Sequence, residues 1–232
     1  MNIQQKLTGF AMMGATWIMW LLVGLSVGGL AIALERAIYL IRSSENIRKL
    51  KVQILGMIRR GDLAGAKARL DQSPSHEARV ISAGLQDLDD GSASAEERMS
   101  GAIQIAKLRM EKRLAFLGTL GANAPFLGLL GTVIGIIRAF HALNESAGKV
   151  TAGLMAEVGE ALVATAIGIL VALPAIAFFN AFQRIIKARL ARAEAFGKEV
   201  LALLKSGRPG GADRPDRLDR ADRADRASRV SV

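Results

Sequence analysis

Thr132 sits in the phrase Ala124-Pro125-Phe126-Leu127-Gly128-Leu129-Leu130-Gly131-Thr132-Val133-Ile134-Gly135, and Thr165 in Glu160-Ala161-Leu162-Val163-Ala164-Thr165-Ala166-Ile167-Gly168. Each is a lone hydroxyl in an apolar stretch, able to donate one hydrogen bond and accept two but not to titrate, and it serves either to bond a carbonyl one turn back on its own helix or to join a polar ring. Glu160 adds a carboxylate at the edge of the second stretch, where a charge is costly and by default faces a cavity or a partner. Interfacial placement is its other reading, and Glu157, a few residues earlier, reads as a link residue. The set suits a polar pathway through a membrane. A proton relay also needs a group that titrates inside the barrier, and neither carboxylate lies there, so that group is expected on another chain.

Other chemistries lack their residues. The chain has no cysteine, which excludes disulfides and thiol chemistry. There is no P-loop, no HExxH and no Ser-His-Asp arrangement, so no enzyme activity, cofactor or metal is expected. His76 and His141 fall in different regions of the chain and are both expected at the surface. The net charge of +10 comes without interleaved aromatic residues, and sorting of basic residues across a membrane explains most of it, so nucleic acid is not an expected partner.

The elements that must carry the threonines are membrane spans. Of the 232 residues 51% are hydrophobic, and no charge occurs in Leu7–Leu34, Leu114–Ile137 or Ala161–Gln183. Each run reaches the roughly 20 residues needed to cross a bilayer core. The first run is too long for a secretory signal, and Trp17, Trp20 and the basic segment from Arg36 suit a retained span. Fifteen Lys and Arg lie between Arg36 and Arg113, against two, Arg138 and Lys149, between Arg138 and Glu160. The long loop and the basic C-terminal tail are therefore expected in the cytoplasm and the N-terminus outside.

The expected fold is an all-α membrane protein with three transmembrane helices, a helical cytoplasmic loop and long helices continuing into the cytoplasm. Residues 1–41 make the outer N-terminus and first span, and 42–113 the cytoplasmic helical region. The second span is 114–137, a short outer link 138–157, and the third span 158–183. A cytoplasmic helix fills 184–207, and the tail 208–232, with its repeated Asp-Arg pairs, is expected to be disordered. In the loop, Ile47, Leu50, Ile54 and Met57 share a helix face, Gly61-Asp62 stops it, and Leu63, Ala66 and Leu70 resume it. A turn follows at Gln72–Ser75. Ser94 and Glu97 read as a capping box, from which one helix is expected to run from about Ala95 to Ile137, with Pro125 as its one breaker.

On that frame the threonines fall at matching depth. Thr132 is about 9 Å from the outer end marked by Arg138, and Thr165 about 7 to 8 Å below Glu160. Gly121, Gly128, Thr132 and Gly135 share a stripe on the second span, as do Ala161, Thr165, Gly168 and Ala172 on the third. Gly131 and Gly135 form GxxxG, and Pro125 and Pro174 call for protein-covered faces. Such stripes serve either close helix packing or a smooth lumen in a ring of copies.

The segments APFLGLLGTVIGIIRAF and EALVATAIGILVALPAIAFFNAF resemble the paired signature of the ExbB/TolQ/MotA proton-channel family, closely over Gly118–Phe182 and more loosely over residues 10–205. Three spans are similar to its ExbB/TolQ branch, because its flagellar members have four. The resemblance implies a bacterial inner-membrane homo-oligomer, a pentamer, enclosing helices of a single-span ExbD/TolR-like partner whose aspartate titrates. It implies that Thr132 and Thr165 line the pore, that Glu160 supports the proton path, and that Pro125 and Pro174 are structural. It also implies that the proton motive force drives envelope work: import, Tol-type maintenance or gliding. The competing expectation is a non-conducting scaffold ring that organises membrane lipids or partner proteins.

Overall fold

The computed structural model describes residues 16–86 and 91–206. Within them are seven helices and no strand: α1 (Thr16–Arg42), α2 (Ile47–Arg59), α3 (Leu63–Asp71), α4 (His76–Gln86), α5 (Ser92–Glu111), α6 (Leu114–Glu145) and α7 (Ala152–Ser206). They form two compact units, one of residues 16–44 and 105–190, the other of 45–104 and 191–206. The Asp-Arg tail lies outside the described residues.

The first unit contains the described parts of the three apolar stretches, and α1, α6 and α7 are each long and apolar enough to cross a membrane. Its interior is thin. Ile18, Leu22, Leu120, Ala124, Ile134 and Val171 form one buried cluster, and Ala33, Leu40, Met110, Leu114, Leu117 and Ile186 another. Large side chains such as Trp20, Val27, Phe126, Phe140 and Leu170 stay on the outside. That inversion suits helices whose surroundings are hydrocarbon or neighbouring helices, where only backbone polarity must be satisfied internally. Both α6 and α7 continue beyond the uncharged runs, so the turn between them is confined to residues 146–151, with Ala147 and Gly148 at positive φ.

The expected single helix from Ala95 to Ile137 is not formed. It breaks after Glu111, and Arg113 adopts a left-handed conformation with φ 65° before α6 begins at Leu114. No glycine or proline marks this break. Its support is tertiary: the Arg113 guanidinium donates to Glu35 of α1 at 2.5 Å, while Met110 and Leu114 on either side are buried. Those contacts offset the roughly 1–2 kcal/mol of a left-handed residue. The helix start also differs from the expected capping box. Gly91, at φ 102°, lets the chain enter α5 at Ser92, and its carbonyl accepts from Ala95 N, so Ser94 and Glu97 lie inside the first turns.

The second unit begins with the expected helical hairpin. Gly61 takes φ 77°, and the Asp62 side chain accepts from Gly65 N at 2.8 Å to start α3. Leu50, Ile54, Leu70, Ile81, Phe196 and Val200 fill its core. Ahead of α2, Glu45 binds Arg69 and Ser73, which joins the linker to α3 and to the turn at Gln72–Ser75. His76 corrects a surface expectation. It is only 3% exposed, because α4 is buried nearly all round: Ala78, Val80 and Ile81 enter the core and the buried Glu77 carboxylate lies 3.8 Å from Arg192. His141 is exposed on α6, as expected, beside Glu145.

Candidate functional site

Glycine brings α6 and α7 together. A Cβ at Gly128 would lie 2.9 Å from the Ala164 carbonyl oxygen and 3.0 Å from Thr165 Cα, and one at Gly168 would lie 2.7 Å from the Ala124 oxygen. The two backbones therefore touch. The same ridge continues toward the α6–α7 turn, where a Cβ at Gly135 or Gly131 would meet Ala161 or Ala164, and away from it, where Gly121 faces Ile176. Of the two uses open to such stripes, close packing is the one realised within a single chain. Pro125 and Pro174 both lie inside helices, and Pro174 lines an apolar cleft with Ser26, Gly29 and Leu120.

This approach places the two threonines on each other. The Thr132 and Thr165 hydroxyls are hydrogen-bonded together, Thr132 also reaches the Ala161 carbonyl at 3.1 Å and the Gly128 carbonyl at 3.4 Å, and Thr165 reaches the Gly128 carbonyl at 3.2 Å. Two protons thus serve two carbonyls and one inter-hydroxyl bond, so not every contact is made at once. Lone pairs on the hydroxyl oxygens remain for an outside donor. Both threonines are half-buried, so the pair is not sealed within the chain.

Glu160 is held elsewhere. Five residues before Thr165, it points roughly 140° away around the helix, and its Oε1 accepts from the Thr16 hydroxyl of α1 at 2.6 Å. The structure therefore joins Thr132 to Thr165 and sets Glu160 on the opposite side of α7. Glu157, expected to be a link residue, lies in α7 and pairs with Arg138 of α6 at 2.6 Å, clamping the end of the same crossing nearest the α6–α7 turn. Sequence reasoning missed Thr16 as a partner. A single hydroxyl in an uncharged run carries no mark of which helix it will meet.

Among the described residues no three His, Cys, Asp or Glu side chains gather into a group that could hold a metal ion. The two hydroxyls at the α6–α7 crossing can donate to and accept from water or a carboxyl group, and the Glu160 carboxylate can accept on the other side of α7.

Comparison with known proteins gives a consistent likeness. Residues 72–195 match the sequence model of the MotA/TolQ/ExbB proton channel family. An ExbB-like biopolymer transport protein of Helicobacter pylori is 45% identical over 78 residues, 34% of this chain and 52% of the relative. The biopolymer transport protein ExbB of Xanthomonas campestris is 31% identical over 139 residues, 58% of this chain and 55% of the relative. The Tol-Pal system protein TolQ of Pseudomonas aeruginosa is 36% identical over 106 residues, 46% of each. The chain spans about half the length of these curated relatives.

Proposed function

Since this chain belongs to the MotA/TolQ/ExbB proton channel family, we propose that it is the multi-pass subunit of a proton-driven motor in the bacterial inner membrane. In this reading five copies form a ring around the transmembrane helices of a single-span, ExbD/TolR-like partner. The N-terminus faces the periplasm and the C-terminus the cytoplasm, and the ring powers work at the envelope: import, Tol-type maintenance or gliding. The names of the relatives, ExbB and TolQ, support the general class. The chain's own chemistry supports the division of labour, because its hydroxyls cannot titrate and the titrating aspartate must come from the partner.

The observation that carries the reading is the hydroxyl pair at the α6–α7 crossing. An ionised carboxylate accepts only, so binding it requires a threonine proton to leave a backbone carbonyl. A protonated carboxyl brings its own donor and needs only a spare lone pair on Thr132 or Thr165. The pair thus meets the two states of the partner with different hydrogen bonds, at little cost, because the carbonyls of Gly128 and Ala161 lie in helices whose own ladders serve them. Each elementary charge crossing the membrane supplies about 2.3 kcal/mol per 100 mV, so a few protons drive a step of several kcal/mol.

The test is the double variant Thr132→Val with Thr165→Val, which keeps volume and removes both hydroxyls. Assembly in the membrane should persist while proton-driven activity falls at least tenfold, the size of effect expected when a hydrogen bond to a charged group is lost. Wild-type activity in that variant, with assembly intact, refutes the pathway role. One observation favours the scaffold reading instead: the hydroxyls satisfy each other and the backbone within the chain, as packing threonines do. Imaging the assembly by cryo-electron microscopy separates the two. Partner helices inside a five-fold ring facing Thr132 and Thr165 favour the motor, and a lumen filled only with lipid favours the scaffold.

A further inference from the structure

We infer that Thr16 is a positioning residue of the proton path, holding the Glu160 carboxylate at the outer end of the first and third spans. The inference rests on the channel reading above and extends it to α1. Three observations converge on it. Thr16 Oγ1 donates to Glu160 Oε1 at 2.6 Å across 144 residues of sequence, whereas a membrane threonine commonly spends its proton on a carbonyl of its own helix. The neighbouring acid, Glu157, is already paired with Arg138, while among the described residues Glu160 is given a neutral hydroxyl and no cation. Glu160 is also half-buried at the edge of an uncharged run, where an unassisted carboxylate is costly.

The geometry divides α7 into two working sides. Glu157, Ala161 and Thr165 meet α6 through Arg138, Gly135 and Thr132. Glu160 meets α1 through Thr16. Ile18, two residues further along α1 and about half a turn round it, is fully buried and would lie 3.8 Å from a Cβ at Gly131, so this end of α1 is seated against α6. A charge-assisted bond of this kind fixes one carboxylate oxygen and leaves the other to serve water or an incoming proton. Loss of the Thr16 hydroxyl frees the side chain to swing, and loss of the Glu160 charge removes what the hydroxyl was there to hold.

The experiment uses the complex purified through this chain from its native membrane, reconstituted in vesicles, with proton uptake followed by a pH-sensitive dye under an imposed potential. Thr16→Val removes the bond and keeps the charge, Glu160→Gln keeps an acceptor oxygen and removes the charge, and Thr16→Ser restores the donor. Thr16→Val should lower uptake about tenfold, Thr16→Ser should restore it to near wild type, and the Thr16→Val, Glu160→Gln pair should be no slower than Glu160→Gln alone. Wild-type uptake in Thr16→Val overturns the inference, as does a double variant in which the two losses multiply. Either result leaves the channel reading standing if Thr132→Val with Thr165→Val is still impaired. A wild-type complex that takes up no protons overturns both readings together. If Thr16→Val fails to assemble, Thr16→Ala and Thr16→Ser decide: equal loss in both, despite intact assembly, overturns the role of the hydroxyl.

Discussion

Gly168→Ala places one methyl group at the closest approach of α6 and α7. That methyl would lie 2.7 Å from the Ala124 carbonyl oxygen and 3.0 Å from Gly128 Cα. Both are backbone atoms, so no rotamer change relieves the clash. Ordinary contact begins near 3.4 Å, and relief therefore needs the two helices to separate locally by about 0.7 Å, the difference between 3.4 and 2.7. Thr165 is three residues from Gly168, about 4.5 Å along the axis, and its hydroxyl reaches the Gly128 carbonyl at 3.2 Å. The same separation takes that distance to about 3.9 Å, beyond hydrogen-bond reach. Overpacking of this kind costs about 1–3 kcal/mol, and the lost hydrogen bond adds about 1 kcal/mol.

The assay is thermal unfolding of the purified protein in nanodiscs, read alongside Gly101→Ala. Gly101 is an exposed position inside α5 with nothing within 4 Å of an added Cβ, so the same chemical change there should be neutral or stabilise by up to about 1 kcal/mol. Gly168→Ala should melt several degrees lower than wild type and lose proton-driven activity, and Gly101→Ala should do neither. Equal melting temperatures for wild type and Gly168→Ala would refute the reasoning, because they would mean that the helices already have the space. So would a Gly101→Ala protein as unstable as Gly168→Ala.

The second unit yields two further expectations. The hydrogen bond from Ser73, and then the Arg69 guanidinium, hold Glu45 below the usual carboxylate range. A lowered folded value means that this contribution is complete above the unfolded carboxylate range and is lost as pH falls through the folded value, so acid unfolding should begin there. Ser73→Ala should cost about 1 kcal/mol at neutral pH and flatten the acid side of the stability profile, seen as a melting temperature that differs from wild type at pH 7 and converges with it in acid. Phe196 is 1% exposed at the centre of the second core, and Phe196→Ala should cost about 3–5 kcal/mol, measured as loss of the second unit's protection in hydrogen exchange. Wild-type exchange rates there would show that the side chain is not what holds this core together.

Several features were legible before any coordinates. Three uncharged runs mark three long apolar helices, because a charge inside hydrocarbon is costly enough that its absence over about 20 residues is informative. Gly61-Asp62 marks the hairpin, because a left-handed glycine followed by a capping aspartate has few other uses. The matched depth of Thr132 and Thr165 follows from a fixed rise per residue on two helices joined by a short turn. The family signature is likewise a property of residue order alone.

Contacts between distant segments decided the rest. The break at Arg113 carries no local mark, since it is stabilised by Glu35 of another helix and by burial on both sides. His76 reads as a surface residue until α4 is seen packed on nearly every face. Periodicity assigns a residue to a side of its helix but not to the helix it will meet. That is why the small stripes stayed open between packing and lumen until Gly128 and Gly168 were found in backbone contact, and why the Thr16–Glu160 bond had no counterpart in the sequence pattern. Local composition and spacing determine what a segment can bury, and tertiary packing determines against which partner it does so.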